Sequence, residues 1–143
     1  MQVKHILREK GRDVVTIAGE AMLSEAARLL ARRHIGAVVV CDGMGVVSGI
    51  LSERDIVRAV AEHSVAALGH SVARHMTRTV STCCETDSVD DLMEDMTRGR
   101  FRHVPVVEDN RLCGIVSIGD VVKSRIEETV REAASLREYI VAG

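Results

Sequence analysis

The sequence predicts a mixed α/β (α+β) fold built from two tandem copies of one β-α-β-β-α unit. The first observation is an internal repeat, because Gly49-Ile50-Leu51-Ser52-Glu53-Arg54-Asp55 returns 65 residues later as Gly114-Ile115-Val116-Ser117-Ile118-Gly119-Asp120. The second is that each copy joins an apolar run, typical of a buried strand, to a Ser and an Asp three residues apart and then to a segment with helical periodicity. A strand end, a polar turn and a helix start together are a usual place for a nucleotide.

The first copy can be divided into elements by its apolar patterns. β-Branched apolar runs indicate the strands, apolar residues at helical spacing indicate the helices, and Asp42-Gly43 is typical of a hairpin turn. The predicted elements are a short strand at 14–17, a helix from Leu23 to about His34, strands at 35–41 and 46–51, and a helix from about Glu53 to Glu62.

The second copy repeats this order after a predicted linker at 63–71. The predicted elements are a short strand at 79–82, a helix that begins after the capping residue Ser88, strands at 101–107 and 111–116, and a long helix that begins just after Ser117 and runs through Ile140. Pro105 stands where the first copy has Val39, and since proline cannot donate a ladder hydrogen bond, we expect it at a strand start or a sheet edge. The predicted division is 1–66 for the first repeat with an N-terminal segment, 67–128 for the second repeat, and 129–143 for a helical tail.

Composition excludes several classes of partner. The formal net charge of the 143 residues is −2, and Phe101 and Tyr139 are the only aromatic residues, so neither a basic footprint nor stacking platforms for nucleic acid are present. No apolar run approaches the length of about 20 residues that spans a bilayer. We therefore expect no nucleic acid, no membrane and a cytoplasmic location.

Motifs for metal binding and catalysis are also absent from the sequence. Cys83 and Cys84 are adjacent and lack zinc-site spacing, and Cys41 and Cys113 read as small buried residues, so no metal is predicted. There is no phosphate-binding loop of an NTPase, no dinucleotide-binding glycine motif and no nucleophile elbow. We expect a protein that is not an enzyme and has no required cofactor.

The two copies resemble the cystathionine-β-synthase (CBS) domain pair, or Bateman module. The resemblance covers roughly residues 10 to 130 and rests on the runs Ile-Gly-Ala-Val-Val-Val and Phe-Arg-His-Val-Pro-Val-Val, each followed by Gly-Ile-aliphatic-Ser-x-x-Asp. It implies a unit with pseudo-twofold symmetry, in which two small packed sheets flanked by helices leave two clefts. Many such modules bind adenine nucleotides in these clefts, and two modules commonly form a flat dimer.

The Ser and Asp of each copy have two interpretations. Ser52 with Asp55, and Ser117 with Asp120, fit capping boxes that stabilise a helix start by about 0.5–2 kcal/mol. The resemblance instead implies that each Asp accepts hydrogen bonds from the two ribose hydroxyls of a nucleotide, with the Ser and the helix amides near the sugar or phosphate. Both interpretations can hold at once.

The resemblance also implies walls for the base and cations for the phosphates. Candidate walls are Ile17 and Val38 in one copy and Thr82 and Val104 in the other, although each could equally be a residue of the core. Arg102 and His103, with Arg54, are candidates for a shared cationic centre. Because Gly36 and Ala37 replace Arg102 and His103 in the first copy, we expect unequal clefts and room for a larger ligand such as a dinucleotide.

The sequence therefore predicts a non-catalytic sensor that binds AMP, ADP, ATP or NAD(H) as a regulatory ligand in two unequal clefts. We expect a homodimer that acts on an unknown downstream protein partner. Two alternatives stay open: a constitutive dimeric scaffold with vestigial clefts that acts through its tail helix, and a binder of another adenosyl ligand such as S-adenosylmethionine.

Overall fold

The computed structural model describes residues 1–142, so Gly143, the last residue of the predicted tail, lies outside the described residues. Two small sheets are flanked by helices, which confirms the predicted mixed α+β fold class. In chain order the elements are α1 (Val3–Lys10), β1 (Thr16–Ile17), α2 (Leu23–Arg33), β2 (Ala37–Cys41), β3 (Val47–Ser52), α3 (Glu53–His63), a 3₁₀ helix (Ser64–Gly69), α4 (Val72–His75), α5 (Val89–Gly99), β4 (His103–Glu108), β5 (Arg111–Ser117) and α6 (Ile118–Ala142).

The first repeat contains a three-stranded sheet in the order β1-β2-β3. Strand β1 is parallel to β2, and β2 is antiparallel to β3 with Val38 opposite Leu51 and Val40 opposite Gly49. Val38, Val40 and Leu51 are fully buried, and they pack against Leu23 of helix α2. This first core holds the sheet in place beneath the helix α3 that carries Asp55.

The second repeat has only two paired strands, so the short strand predicted at 79–82 is wrong. In the first repeat, the amide of Val39 donates to the carbonyl of Val15 and holds the short strand β1. Pro105 replaces Val39 and has no amide hydrogen, and the equivalent segment makes a single parallel bridge from Cys83 to Val106. Pro105 lies inside β4 rather than at its start, with its backbone facing the outer edge of the sheet, as the edge prediction expected.

Each repeat receives the helix that precedes the other repeat. Val3, Ile6 and Leu7 of α1 are buried in the second core, which is formed by β4, β5, α5 and α6. Ala67 of the 3₁₀ helix and Val72 of α4 are buried in the first core. The segment predicted as a linker is therefore a helical part of the first core, and α1, which the sequence did not predict as a helix, packs with the second repeat. The division at residues 66 and 128 stays a prediction.

Glycine is needed where these exchanged segments meet the strands. A Cβ at Gly49 would lie 2.7 Å from the sulfur of Met76 and 2.7 Å from the carbonyl oxygen of Thr77. A Cβ at Gly114 would lie 2.8 Å from a methyl group of Leu7. The glycine of each repeated heptapeptide thus lets the helix before the opposite repeat approach the strand closely.

The second half of helix α6 extends away from the cores. Val121 and Ser124 are buried, whereas every residue from 129 to 142 is exposed. Arg125 on α6 pairs with Asp90 on α5 at 2.8 Å, and this ion pair lies near the point where the helix leaves the second repeat. Among residues 1–142, no helix has the length and apolar character needed to cross a membrane.

Candidate functional site

Helix α3 begins with a complete capping box. The carboxylate of Asp55 accepts hydrogen bonds from the amide of Ser52 at 2.9 Å and from its hydroxyl at 3.1 Å, and the amide of Asp55 donates to the Ser52 hydroxyl at 3.3 Å. Asp55 is only 7% exposed, which makes it one of two buried polar residues among the described residues. Its Oδ1 has one long contact, 3.5 Å to Arg58. The capping prediction is confirmed. The contact to Arg58 is too long for a strong hydrogen bond, so Oδ1 can still accept one from a ligand.

The start of helix α6 has the same local geometry. The amide of Ser117 donates to Oδ2 of Asp120 at 2.8 Å, and the amide of Asp120 donates to the Ser117 hydroxyl at 3.1 Å. The repeated Ser and Asp therefore serve the same structural purpose in both copies, because each pair satisfies amides that a helix start leaves free.

A cleft of about 690 Å³ lies beside the start of α3. Both repeats contribute to its walls, so a ligand in the cleft would contact both. Of the predicted site residues, the cleft brings together Ser52, Arg54, Asp55, Arg102 and His103. The cleft volume is in the range of small-molecule sites, which are commonly about 300–1,000 Å³.

Cations dominate the charged lining of the cleft. Arg54, Arg58, Arg100 and Arg102 line it, with Glu53 and Asp55 as the acidic residues. Within residues 1–142, Arg54, Arg100 and Arg102 have no carboxylate within 4.0 Å. Arg100 ends helix α5 in the left-handed conformation, with φ of 57°. The cleft therefore offers unpaired guanidinium groups to an anionic ligand.

His103 lines the cleft, and its ring lies beside Gly36. A Cβ at Gly36 would lie 3.7 Å from Cε1 of His103 and 4.0 Å from the carboxylate of Glu53, which are ordinary van der Waals distances, so the position is not open space and does not require glycine. Burial lowers the pKa of His103, and the charges of Lys10 and Arg102 lower it further against the opposing effect of Asp120 and Glu53. The imidazole is therefore mainly neutral at pH 7 and can both donate and accept a hydrogen bond.

Asp120 lies outside this cleft. It borders a separate pocket of about 70 Å³, together with Lys10 and Lys123. The ammonium group of Lys10 donates to Oδ2 of Asp120 at 2.6 Å and to the carbonyl of Ile115 at 3.0 Å. Burial raises the pKa of Asp120, but the hydrogen bonds from Lys10 and Ser117 and the Lys10 charge outweigh this effect, so the pKa lies below its usual range. The two aspartates thus occupy unequal sites, because Asp55 lines the large cleft whereas Ser117 and Asp120 do not.

None of the four predicted base-wall residues lines the large cleft. Val38 and Val104 are 0% and 1% exposed in the first and second cores, and the strand pairing of β2 and β4 keeps them there. Ile17 packs against the first core, and Thr82 is exposed. In place of these residues, the cleft is lined by residues from other places in the chain. They are Ile50 of β3, Val57 of α3, Phe101 before β4, and Thr77, Thr79, Val80 and Ser81 before α5.

Sequence reasoning missed several further lining residues. Arg58 lies one helical turn after Asp55, and this spacing could have been noticed because helical residues three apart share a face. Arg100 corresponds to His34, 66 residues earlier, and both end their helices in the left-handed conformation. Lys10, which borders the small pocket beside Asp120, could not be predicted from the repeat, because it lies on α1, outside the repeated segments.

Three histidine rings cluster beside the 3₁₀ helix and helix α4. The ring centroids of His63, His70 and His75 are 5.1 to 5.6 Å apart, and Nδ1 of His70 lies 2.9 Å from Nε2 of His75. Burial lowers the pKa of both His70 and His75, and the charge of Arg74 lowers it further. Among residues 1–142, no group of three His, Cys, Asp or Glu side chains is arranged to hold a metal ion.

The four cysteines are free thiols. Cys83 is buried, which raises its pKa to about 12, whereas Cys41 and Cys113 are half-buried and Cys84 is exposed. The buried thiol is therefore Cys83 rather than the predicted Cys41 and Cys113. A pKa this high leaves Cys83 unreactive at neutral pH.

Comparison with known proteins gives one consistent family. The family model described as "CBS domain" matches residues 3–62 and 71–127. An uncharacterised 17.7 kDa protein of Acidianus ambivalens is 32% identical over 115 residues, which cover 80% of this chain and 68% of that protein.

Solved structures agree with the family match. A CBS-domain-containing protein of Agrobacterium tumefaciens has 54% sequence identity and a TM-score of 0.84, and the match covers 87% of this chain and 99% of that one. The CBS domain pair of protein MJ0100, in complex with 5′-methylthioadenosine and S-adenosyl-L-methionine, has 29% identity and a TM-score of 0.80, with 90% and 98% covered. A CBS domain protein of Pyrobaculum aerophilum, complexed with AMP, has 30% identity and a TM-score of 0.74, with 84% and 89% covered.

Proposed function

Because this chain belongs to the CBS domain family and contains both repeats, we propose that it is a regulatory module that binds an adenine nucleotide in the large cleft beside Asp55. CBS-domain proteins are generally regulatory and non-catalytic, and relatives of this chain bind AMP, S-adenosylmethionine and methylthioadenosine. The observation that carries the proposal is the combination, in one cleft, of a buried aspartate at a helix start with three arginines that lack a carboxylate partner.

Each part of an adenine nucleotide has a complementary surface in the cleft. Oδ1 of Asp55, which has only the 3.5 Å contact to Arg58, can accept a hydrogen bond from a ribose hydroxyl while Oδ2 keeps its bonds to Ser52. Ile50 and Phe101 offer half-buried apolar surface for the base. Arg102 and the other arginines of the cleft can neutralise phosphate groups.

The charge of the cleft favours AMP, ADP, ATP or NAD(H) over S-adenosylmethionine. Four arginines against two carboxylates leave the lining with an excess of positive charge, which attracts phosphates and repels a sulfonium ion. The cleft volume of about 690 Å³, rather than any space beside Gly36, keeps a dinucleotide such as NAD(H) within the proposal.

Regulation would follow from the position of the cleft between the repeats. Ser52 and Asp55 belong to the first repeat, whereas Ser81 and Arg102 belong to the second, so a ligand that binds both groups favours one relative arrangement of the two. A downstream protein partner would read that arrangement. No bond in the ligand needs to be broken for this mechanism.

Isothermal titration calorimetry tests the proposal. AMP, ADP, ATP, NAD, NADH and S-adenosylmethionine are titrated into protein that has been checked for co-purified ligand. We expect micromolar binding of at least one phosphorylated adenine nucleotide and weaker or no binding of S-adenosylmethionine. The absence of heat with every compound would contradict the proposal.

The exposed tail helix supports a second candidate function, that of a constitutive dimeric scaffold. Ile126, Val130, Leu136 and Ile140 are 59 to 67% exposed on α6, and such a row of apolar residues commonly pairs with another helix. We propose that a second copy of the chain covers this row.

Light scattering after size-exclusion chromatography should give a dimer mass for the wild type and a monomer mass for Ile126→Glu with Ile140→Glu. A dimer that binds none of the nucleotides in calorimetry would favour the scaffold function. The cytoplasmic location stays a prediction.

A further inference from the structure

Helices α2 and α5 are equivalent in the two repeats and bury equivalent faces. The buried residues of α2 are Leu23, Ala26 and Leu30, and those of α5, 66 residues later, are Val89, Leu92 and Met96. With about 3.6 residues per turn, the face opposite these positions carries residues 25, 28 and 32 on α2 and residues 91, 94 and 98 on α5. All six residues are exposed, and they form the outward faces of the two helices.

The two outward faces carry different patterns of charge. Helix α2 contains three arginines and one glutamate, whereas α5 contains four carboxylates and one arginine. From its N-terminal end, the outward face of α2 is acidic, basic and basic, with Glu25, Arg28 and Arg32. The outward face of α5 is acidic, acidic and basic, with Asp91, Glu94 and Arg98.

Most of these charges have no strong partner within the chain. Within residues 1–142, neither Arg28 nor Arg32 has a carboxylate within 4.0 Å, and Asp91 has no cation within that distance. Glu94 and Arg98 are 3.3 Å apart on the same helix, but their side chains are 69% and 71% exposed, so this pair is weak and can be exchanged for a contact with another molecule. The outward faces are therefore available to a partner of matching charge.

A second copy of the chain presents that matching charge. When α2 of one copy lies antiparallel against α5 of the other, every outward residue faces an opposite charge, because both sets recur every three to four residues. The facing pairs are Glu25 with the partner's Arg98, Arg28 with the partner's Glu94, and Arg32 with the partner's Asp91. Complementary charges of this kind set the register and direction of an association.

Other arrangements of two copies bring like charges together. Two antiparallel α2 helices place Arg28 against the partner's Arg28, and two antiparallel α5 helices place Glu94 against the partner's Glu94. A parallel contact of α2 with α5 places Arg32 against the partner's Arg98. Because like charges in contact disfavour an arrangement, the charge pattern selects a single direction.

We propose that two copies of the chain associate head to tail, with α2 of each copy lying antiparallel on α5 of the other. Under twofold symmetry this contact forms twice. Ion pairs between exposed side chains contribute little affinity individually, so the charges choose the direction, and the apolar row on α6 supplies apolar area. The inference rests on the association of two copies proposed above and does not depend on nucleotide binding.

Sedimentation equilibrium at low ionic strength, where exposed charges are screened least, tests the direction of association. Arg28→Glu and Glu94→Arg each replace an attraction by a repulsion in both contacts, so each should raise the dissociation constant of the dimer at least about fivefold. The variant that combines the two substitutions restores opposite charges, and its constant should return to within about twofold of the wild type.

Arg33→Glu is the matched control. It makes the same change of charge on the same helix, but residue 33 lies outside the outward face of α2. It should change the dissociation constant less than about twofold. All these positions are exposed, and circular dichroism in urea checks that each variant unfolds cooperatively. Arg32→Glu and Asp91→Arg form a second pair of substitutions if one of the first pair does not.

The outcomes separate the direction of association from the dimer itself. A combined variant that associates more weakly than either single variant would show that like helices meet, and single variants that both match the wild type would show that α2 and α5 lie outside the interface. Either result would overturn the inference and leave a dimer. A monomeric wild type would overturn the inference together with the proposed dimer, whereas calorimetry would still decide nucleotide binding.

Discussion

Replacement of Asp55 by alanine tests a structural role and a ligand-binding role together, because one carboxylate serves both. In the free protein Asp55→Ala removes the acceptor for the Ser52 amide and hydroxyl at the start of α3. In the complex it also removes the acceptor for the ribose. We therefore expect loss of stability and loss of affinity, each with its own magnitude.

The stability cost follows from the capping box. Loss of an N-terminal cap costs about 0.5–2 kcal/mol, and the Asp55 side chain does not add a paired charge of any strength, since Arg58 is 3.5 Å away and mostly exposed. The free energy of unfolding should fall by about 1–2 kcal/mol. Urea denaturation followed by circular dichroism measures this change.

The affinity cost is larger. A hydrogen bond to a charged group contributes about 1.5–3 kcal/mol, which corresponds to a roughly 10- to 150-fold rise in Kd for AMP. Asp120→Ala is the matched control, because it removes the equivalent cap of α6 but a carboxylate that lies outside the large cleft. It should lower stability by a similar amount and change the Kd for AMP less than twofold. An AMP affinity that both variants reduce equally, or that Asp55→Ala leaves unchanged, would refute the assignment of the cleft.

Three other predictions can be tested directly. Arg102→Ala should weaken ATP at least about tenfold and adenosine less than twofold in calorimetry, because the guanidinium faces the phosphates; equal losses would argue against this. Burial lowers the pKa of His70 and His75 in the folded protein, so below about pH 6.5 the unfolded chain binds more protons than the folded one. The urea midpoint should therefore be lower at pH 5.5 than at pH 7.5. This decrease should be smaller when both histidines are replaced by glutamine. Leu51→Ala, at a position with 0% exposure, should cost about 2–5 kcal/mol in urea unfolding, whereas Val57→Ala, 68% exposed, should cost less than about 0.5 kcal/mol.

The internal repeat made most of the fold predictable. Equivalent apolar runs fixed the order of the elements, and the helices α2 and α3 end within one residue of the predicted positions. The capping pattern of Ser52 and Asp55 was also readable, because it depends on residues three apart in one turn of helix.

Features that depend on tertiary contacts were not readable from the repeat. The strand expected at 79–82 is missing because Pro105 lacks one amide hydrogen, and the sequence showed the proline without showing which backbone group it would fail to pair. Helix α1 is short and lies outside the repeated heptapeptides, so its place in the second core required the structure.

The candidate site was predictable in part. Ser52 and Asp55 were predicted from the repeat, whereas Arg102 and His103 were predicted from the resemblance to the CBS pair, and the structure brings all four to one cleft. The base walls could not be predicted, because an apolar residue such as Val38 reads alike whether it faces a core or a cleft. The sheet register determines whether such a side chain faces the core or the cleft.

The most direct test of the central claim is a crystal structure of the wild-type protein grown with AMP. We expect AMP in the large cleft, with a ribose hydroxyl within hydrogen-bond distance of the Asp55 carboxylate and the phosphate facing Arg102. AMP bound away from Asp55, or bound at Asp120 while the large cleft holds only solvent, would contradict this claim.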